Sequence, residues 1–321
     1  MPSKGWLMMD RLLARRKGGL ALCGVGLLAL VAWGAFTPVT RADVLVEELT
    51  IEPPIELPVE INERVVEWMR RFQSGQRASF ERFLSRGTAY SEMIERKLAD
   101  RDMPPELLYL AMIESGFATD AMSPRSAVGM WQFMGPTARE YGLRVDRWVD
   151  ERRDPVTATD AALDYLQWLH DRYDSWYLAA AAYNAGHPRV DRALRNHAGG
   201  REGEEALYWE IIEHLPRETR EYVPRILAAT ILAKYHEAYG FEVQTRGAYE
   251  FDRVWVPGGT PLSRVAKVLD TRPEAIRALN PHLLLGVTPP GDAFALRVPV
   301  GTASQVIASL DGRGTGSRFS D

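Results

Sequence analysis

Glu114 stands at the end of an otherwise apolar stretch, Met103-Pro-Pro-Glu-Leu-Leu-Tyr-Leu-Ala-Met-Ile-Glu-Ser-Gly-Phe117. Pro104 and Pro105 suit the first turn of a helix, and Gly116 suits the residue just past its end. Between them Leu107, Leu108, Leu110, Ala111, Met112 and Ile113 leave almost no polar face, so this helix is expected to be largely buried. Its carboxylate then lies at the negative end of the helix dipole among apolar neighbours, and both effects raise its pKa. An acid that keeps its proton near neutral pH is suited to general acid catalysis. On this segment alone, a C-terminal glutamate turned into water is the plainer reading.

Three other segments carry residues of use to such an acid. Ser126-Ala-Val-Gly-Met-Trp-Gln-Phe-Met-Gly-Pro136 holds Gly129, which permits an unusual turn or close backbone approach, and Gln132, which offers both a donor and an acceptor. Ala182-Tyr-Asn-Ala-Gly186 places Tyr183 and Asn184 at a helix end. Leu215-Pro-Arg-Glu-Thr-Arg-Glu-Tyr-Val-Pro-Arg225 contains Tyr222. Taken singly each is weak, because half-buried structural tyrosines are common. Metal chemistry finds no support: the six histidines never pair at His-x-x-x-His spacing, and each suits a surface or capping role. The only cysteine, Cys23, rules out an intramolecular disulfide and a cysteine-based metal site.

The elements that must position these residues are mostly helical. From Asn62 to Gly240 apolar residues recur at helical spacing, as in Val65, Val66, Trp68, Met69 and Phe72. Asp154-Pro155 reads as an N-cap followed by proline at the first helical position, opening a long helix. The alanine-rich stretch from Trp176 to Asn184 allows close helix approach. Leu215 to Tyr239 is a last long helix with Pro224 as a kink. After Gly240 the order becomes strand, helix, helix, strand, which suggests a small α+β module.

At 321 residues the chain has room for two domains, and a formal net charge of -4 gives no global case for nucleic-acid binding. Lys4, Arg11, Arg15, Arg16 and Lys17 precede an apolar run from Gly18 to Phe36, close to the roughly 20 residues that span a bilayer. Residues 1–42 are therefore expected to be a signal peptide or membrane anchor, with Thr40-Arg41-Ala42 as an alternative cleavage site, and the body to be exported to the periplasm or cell envelope. Lipidation at Cys23 is disfavoured by the bulky Leu22 before it. Residues 43–59 read as an acidic, proline-containing linker, 60–245 as the helical domain, 246–301 as the α+β module and 302–321 as a flexible tail.

Taken in order, Glu-Ser, Gly-x-x-Gln, Ala-Tyr-Asn and a late Tyr in a Glu-Thr-x-x-Tyr-Val-Pro context resemble the family 1 lytic transglycosylases of bacterial cell-wall metabolism. The resemblance covers about residues 60 to 240. It implies a mainly α fold: a lysozyme-like (SLT) helical domain that cleaves the MurNAc-β-1,4-GlcNAc bond of peptidoglycan without water. Glu114 aligns with the family's single catalytic acid/base. Ser115, Gln132, Tyr183 and Asn184 match positions that line the cleft and bind the sugar and its acetamido group, and Tyr222 matches a tyrosine thought to orient the glutamate or polarise the acetamido group. Met130-Trp131 departs from the Leu-Met of the broader family. No cofactor or metal is implied, and a monomer acting on glycan strands, with the membrane as a further partner through an uncleaved N-terminus, is expected. Tyr141, Trp148 and Trp176 could stack on sugars, although core packing is the simpler role.

The C-terminal module resembles a LysM domain, which binds N-acetylglucosamine-containing glycans. Pro257-Gly-Gly-Thr-Pro-Leu-Ser-Arg-Val-Ala266, Ala275-Ile-Arg-Ala-Leu-Asn-Pro281 and Leu296-Arg-Val-Pro299 carry that likeness, with Gly259 in place of the usual Asp and Pro261 inserted. So degenerate a copy could bind glycan or only pack on the catalytic domain. Two other functions stay open at this point. One is a goose-type lysozyme-like hydrolase, which needs a second carboxylate, with Asp120, Asp146 and Asp154 available. The other is a non-catalytic peptidoglycan-binding protein.

Overall fold

The computed structural model describes residues 55–311, and the fold is mainly α. The expected signal or anchor at 1–42, Cys23 within it, and most of the 43–59 linker lie outside the described residues. Among the described residues no helix is long and apolar enough to cross a membrane. The helical domain runs through α1 (Glu63–Gln73), α2 (Arg77–Gly87), α3 (Ser91–Ala99), α4 (Leu108–Ser115), α5 (Gly135–Glu140), α6 (Pro155–Tyr173), α7 (Trp176–Ala185), α8 (His187–His197), α9 (Ala206–Ile211) and α10 (Arg217–Lys234).

Local chemistry sets the ends of these helices. Asn62 caps α1 by accepting from the backbone of Arg64 and Val65, and Asp154 caps α6 by accepting from Val156 and Thr157. Ser175 caps α7, and Glu205 adds a second acceptor for the first turn through the Trp176 and Tyr177 amides. The buried alanines 179–182 keep α7 thin, so α6, α8 and α10 all pack against it. Pro224 lies inside α10 and has no N–H to give the Arg220 carbonyl one turn back. The Tyr208 hydroxyl of α9 takes that place, donating to Arg220 O at 3.0 Å and Thr219 O at 3.0 Å.

The last residues of the expected linker are not a free spacer. Leu57 is buried and its amide donates to Glu106 at 3.1 Å. Tyr177 donates its hydroxyl to Pro58 O at 2.5 Å and accepts from the Glu60 amide at 3.1 Å. Residues 57–60 are strapped to the helical domain by backbone groups that a composition reading cannot weigh.

In the C-terminal module β1 (Asp252–Val256) pairs antiparallel with β2 (Phe294–Val298), in the register Val254↔Leu296. Between them lie α11 (Leu262–Val268) and α12 (Pro273–Leu279). The flexible tail expected from residue 302 is corrected over its first part. Ala303–Asp311 forms α13, and Val306 is buried in the module core because this short helix finds the apolar side of β1.

Val149 of the helical domain shares that core, and the module does pack on the helices. The Asp150 amide donates to His282 O at 2.9 Å, the Leu284 amide to Trp148 O at 3.1 Å and the Tyr249 amide to Ala89 O at 2.8 Å. At the centre of the contact Arg297 reaches Asp154 at 2.7 Å, with both side chains buried. His282 is the histidine that departs from the expected surface role. Its Nδ1 lies 3.1 Å from Asp154, off the line of a hydrogen bond, and burial lowers its pKa to about 4, so it is neutral there.

Candidate active site

Helix α4 ends where the chain can turn. Gly116 adopts φ +58°, and a Cβ at this position would lie 2.1 Å from the Phe83 ring. Only glycine both permits the left-handed cap and lets that ring close over the turn. Glu114 therefore projects from the last turn of a helix whose other side chains, Leu110 to Ile113, are buried.

Glu114 is half-buried and its carboxylate accepts a hydrogen bond from the Tyr222 hydroxyl at 2.5 Å. Burial dominates its electrostatics and pushes the pKa from 4.5 up to about 7. The Tyr222 hydrogen bond and the Arg225 guanidinium pull it back down, and Glu218 pushes it up. The group is thus poised near neutrality, with support for its anion already in place. Tyr222 is held far above its ordinary pKa by its own burial and by the neighbouring carboxylate, so it stays a donor.

Each of the other expected residues has a hydrogen-bond partner of its own in the fold. Ser115 donates to Met130 O at 2.8 Å, tying α4 to the loop that carries Gln132. Tyr183 donates to Trp131 O at 2.8 Å, and burial first and Glu114 second raise its pKa well above the ordinary value. Asn184 accepts from Thr219 of α10 at 2.8 Å, and its amide nitrogen makes no hydrogen bond among the described residues. Gln132 donates to Gly129 O at 2.8 Å from a backbone at φ 50°, a left-handed conformation that costs a non-glycine residue roughly 1–3 kcal/mol. Its side-chain oxygen remains open to a donor. Trp131 itself is core: its indole N–H donates to Thr159 at 2.9 Å.

Gly129 is the tightest point of this loop. At φ +85° a Cβ would stand 1.7 Å from the Arg152 carbonyl oxygen. The Arg152 side chain also donates to Ser126 O at 3.1 Å and Phe133 O at 3.2 Å, so the strand of chain around 152 frames the loop from both sides. Gly129→Ala is expected to displace Gln132 and to destabilise the fold by more than about 2 kcal/mol. Thermal unfolding of the variant checks this; an unchanged midpoint would show that the loop yields freely.

Two charged residues of the 215–225 segment, Arg225 and Glu218, also bear on the site. Arg225 donates to Ile113 O at 3.4 Å, capping a carbonyl at the end of α4, and lies over the Trp68 ring at 5.2 Å. Glu218 is the carboxylate whose charge bears on Glu114. Their position on α10, at i−4 and i+3 from Tyr222, is the signal that points to them. Asp154 and Asp146 are committed elsewhere: Asp154 to its cap and Arg297, Asp146 to the amides of Trp148 and Val149 and to Arg144. Asp120 is exposed, and none of the three contributes to the Glu114 shift. Among the described residues no group of three or more His, Cys, Asp or Glu is placed to hold a metal ion.

The helices and this network define a known class of domain. Residues 91–205 match the transglycosylase SLT domain, and residues 250–313 match the LysM-like domain of lytic transglycosylase MltD. The chain carries an SLT domain followed by an MltD-type LysM-like domain. Over 197 residues, 61% of its length, it is 34% identical to the membrane-bound lytic murein transglycosylase D of Escherichia coli (strain K12), of which that stretch is 43%. The chain thus spans less than half the length of this relative. It is 28% identical over 154 residues to the soluble lytic murein transglycosylase of the same strain, covering 46% of this chain and 23% of that one. The crystal structure of the 70 kDa soluble lytic transglycosylase from Escherichia coli is similar at 27% identity and a TM-score of 0.39, covering 46% and 24% of the two chains.

Proposed function

We propose that this chain is a lytic transglycosylase that cleaves the MurNAc-β-1,4-GlcNAc bond of peptidoglycan and leaves 1,6-anhydro-MurNAc ends. The observation that carries the reading is Glu114, an acid with a pKa of about 7 hydrogen-bonded to Tyr222. Protonated Glu114 gives its proton to the glycosidic oxygen as the bond to C1 of the muramoyl residue breaks. Positive charge grows on that sugar, and the substrate's own acetamido group shields it. Gln132 and Asn184, each with an open amide group, suit holding that acetamido. The carboxylate, now an anion supported by Tyr222 and Arg225, takes the proton of the C6 hydroxyl as its oxygen closes on C1. One proton leaves and one returns, so no water and no second carboxylate enter. The structural commitments of Asp146 and Asp154 weigh against hydrolysis, which needs a carboxylate to activate water.

The enzyme is read as acting in the periplasm or cell envelope, exported by residues 1–42 and either anchored through them or released. Mass spectrometry of digested peptidoglycan tests the chemistry. Products one water lighter than reducing ends are expected; reducing ends would mark a hydrolase.

The pH profile follows from the proton on Glu114. It must be present at the start, so kcat/KM is expected to fall as pH rises through about 7. Tyr222→Phe removes a hydrogen bond that favours the anion, worth about 1.5–3 kcal/mol, so the inflection moves up by about one to two pH units. An inflection that stays or moves down in this variant contradicts the assignment.

A further inference from the structure

Tyr183 is the inner end of a row of rings. Its centroid lies 5.3 Å from that of Tyr165 on α6. Tyr165 stands 4.9 Å from Tyr141 and 6.2 Å from Trp168, one helical turn along, with 23° between the latter planes. Trp168 is 42% exposed, and His187 meets its ring edge-on at 5.2 Å. Tyr141, for which sugar stacking and core packing were both open, is half-exposed and lies on the flank of this row with its ring tilted 44° to that of Tyr165.

The polar edges of the row are neither satisfied by protein nor sealed, unlike the hydroxyls of Tyr235 and Tyr239, which are buried without a partner. Tyr173, Tyr177 and Tyr208 direct their hydroxyls at protein acceptors. The hydroxyls of Tyr141 and Tyr165 have no hydrogen-bond partner among the described residues, and neither is sealed from solvent. An open run of large rings with free polar edges is rarely left facing water without a ligand to cover it. The ligand that fits has flat apolar C–H faces rimmed by hydroxyls, which describes a pyranose. The row begins at Tyr183, whose hydroxyl donates to Trp131 O on the loop that carries Gln132, so it continues from the candidate site.

We propose that Tyr141, Tyr165 and Trp168 form a stacking shelf for sugar residues of a glycan strand, on one side of the bond cleaved at Glu114. The assignment rests on Glu114 acting on a glycan. The shelf adds reach: it holds sugars remote from the reacting bond, and therefore favours strands long enough to cover it. Such contacts are alike before and during reaction, so they lower KM rather than raise kcat.

The test is binding, measured in full-length Glu114→Gln protein so that cleavage cannot confuse it. The probe is peptide-free strands of alternating N-acetylglucosamine and N-acetylmuramic acid. Adding Trp168→Ala is expected to raise Kd roughly tenfold, equivalent to about 1.4 kcal/mol of lost stacking. Tyr165→Phe, which keeps the ring and loses the hydroxyl, is expected to raise it by about threefold, as befits one hydrogen bond, and it serves if Trp168→Ala proves unstable. Ile61→Ala, an exposed apolar residue of the helical domain outside the row, is the control and should leave Kd unchanged. Unaltered affinity in both shelf variants, or an equal loss in the control, overturns the shelf. The product masses of the unmutated enzyme judge the proposed reaction separately, since Kd does not depend on which bond-breaking chemistry follows.

Discussion

Replacing Glu114 by glutamine is expected to lower turnover of peptidoglycan by roughly 10²–10⁴-fold, the range that a positioned general acid contributes, while binding to sacculi persists. Glutamine keeps the shape and can still accept from Tyr222, so the loss isolates the proton. Full activity in this variant refutes the catalytic assignment. The same substitution reads out the pKa through stability. Folded Glu114 holds its proton up to about pH 7, whereas the ordinary value is 4.5. A proton bound more tightly in the folded state adds stability that is fully present below pH 4.5 and is lost as pH rises through 7. Glutamine has nothing to lose, so the variant should match the parent near pH 4 and exceed it near pH 8. The gap is at most about 3 kcal/mol, or several degrees in melting midpoint. A gap that does not change with pH would mean that Glu114 ionises normally.

Asp154→Ala is expected to cost about 3–5 kcal/mol, because it leaves Arg297 charged and without its partner in a buried contact. The α6 cap is lost as well. A fall of roughly 10 °C in melting midpoint follows, at about 2–4 °C per kcal/mol for domains of this size. Asp154→Ala with Arg297→Met removes both charges and should recover much of the loss. No recovery in the double variant would place the cost in the cap instead. Activity is expected to fall with the single change, since the docked module holds residues 148–150 and these adjoin the Arg152 that frames Gly129.

How much of this was legible beforehand depends on the range of the interaction involved. The α4 helix and its glycine stop are local features, and so is the discomfort of a carboxylate at an apolar helix end; the prolines expected to open it instead fall at the start of a 3₁₀ turn, Pro105–Leu107, just before it. The Tyr222 hydrogen bond spans 108 residues, and no local pattern encodes it; only the ordered set of motifs brought the tyrosine into view. Arg225 and Glu218 lie three and four residues from Tyr222, where a charge usually faces water, so local pattern alone does not establish their closeness to Glu114. His282 could not be told from a surface histidine until the docking of the module enclosed it. Residues 303–311 have weak helical signal of their own, and the contact with β1 decides their state.

The proline in α10 has a consequence for how the protein can change. A mid-helix proline is an obvious target for engineering a stiffer chain, since alanine restores a backbone donor. Here the acceptor that such a donor would claim is already taken by Tyr208. The exchange would bring a second donor to that carbonyl, to be shared with Tyr208 or to displace it toward Thr219 O, its other acceptor. Tyr222 lies two residues before Pro224 on that helix, so a rearrangement of this turn is felt beside the hydroxyl that meets Glu114. A stiffer helix at this position is therefore tied to the geometry of the proposed acid, and the safer places to strengthen α10 lie farther along it.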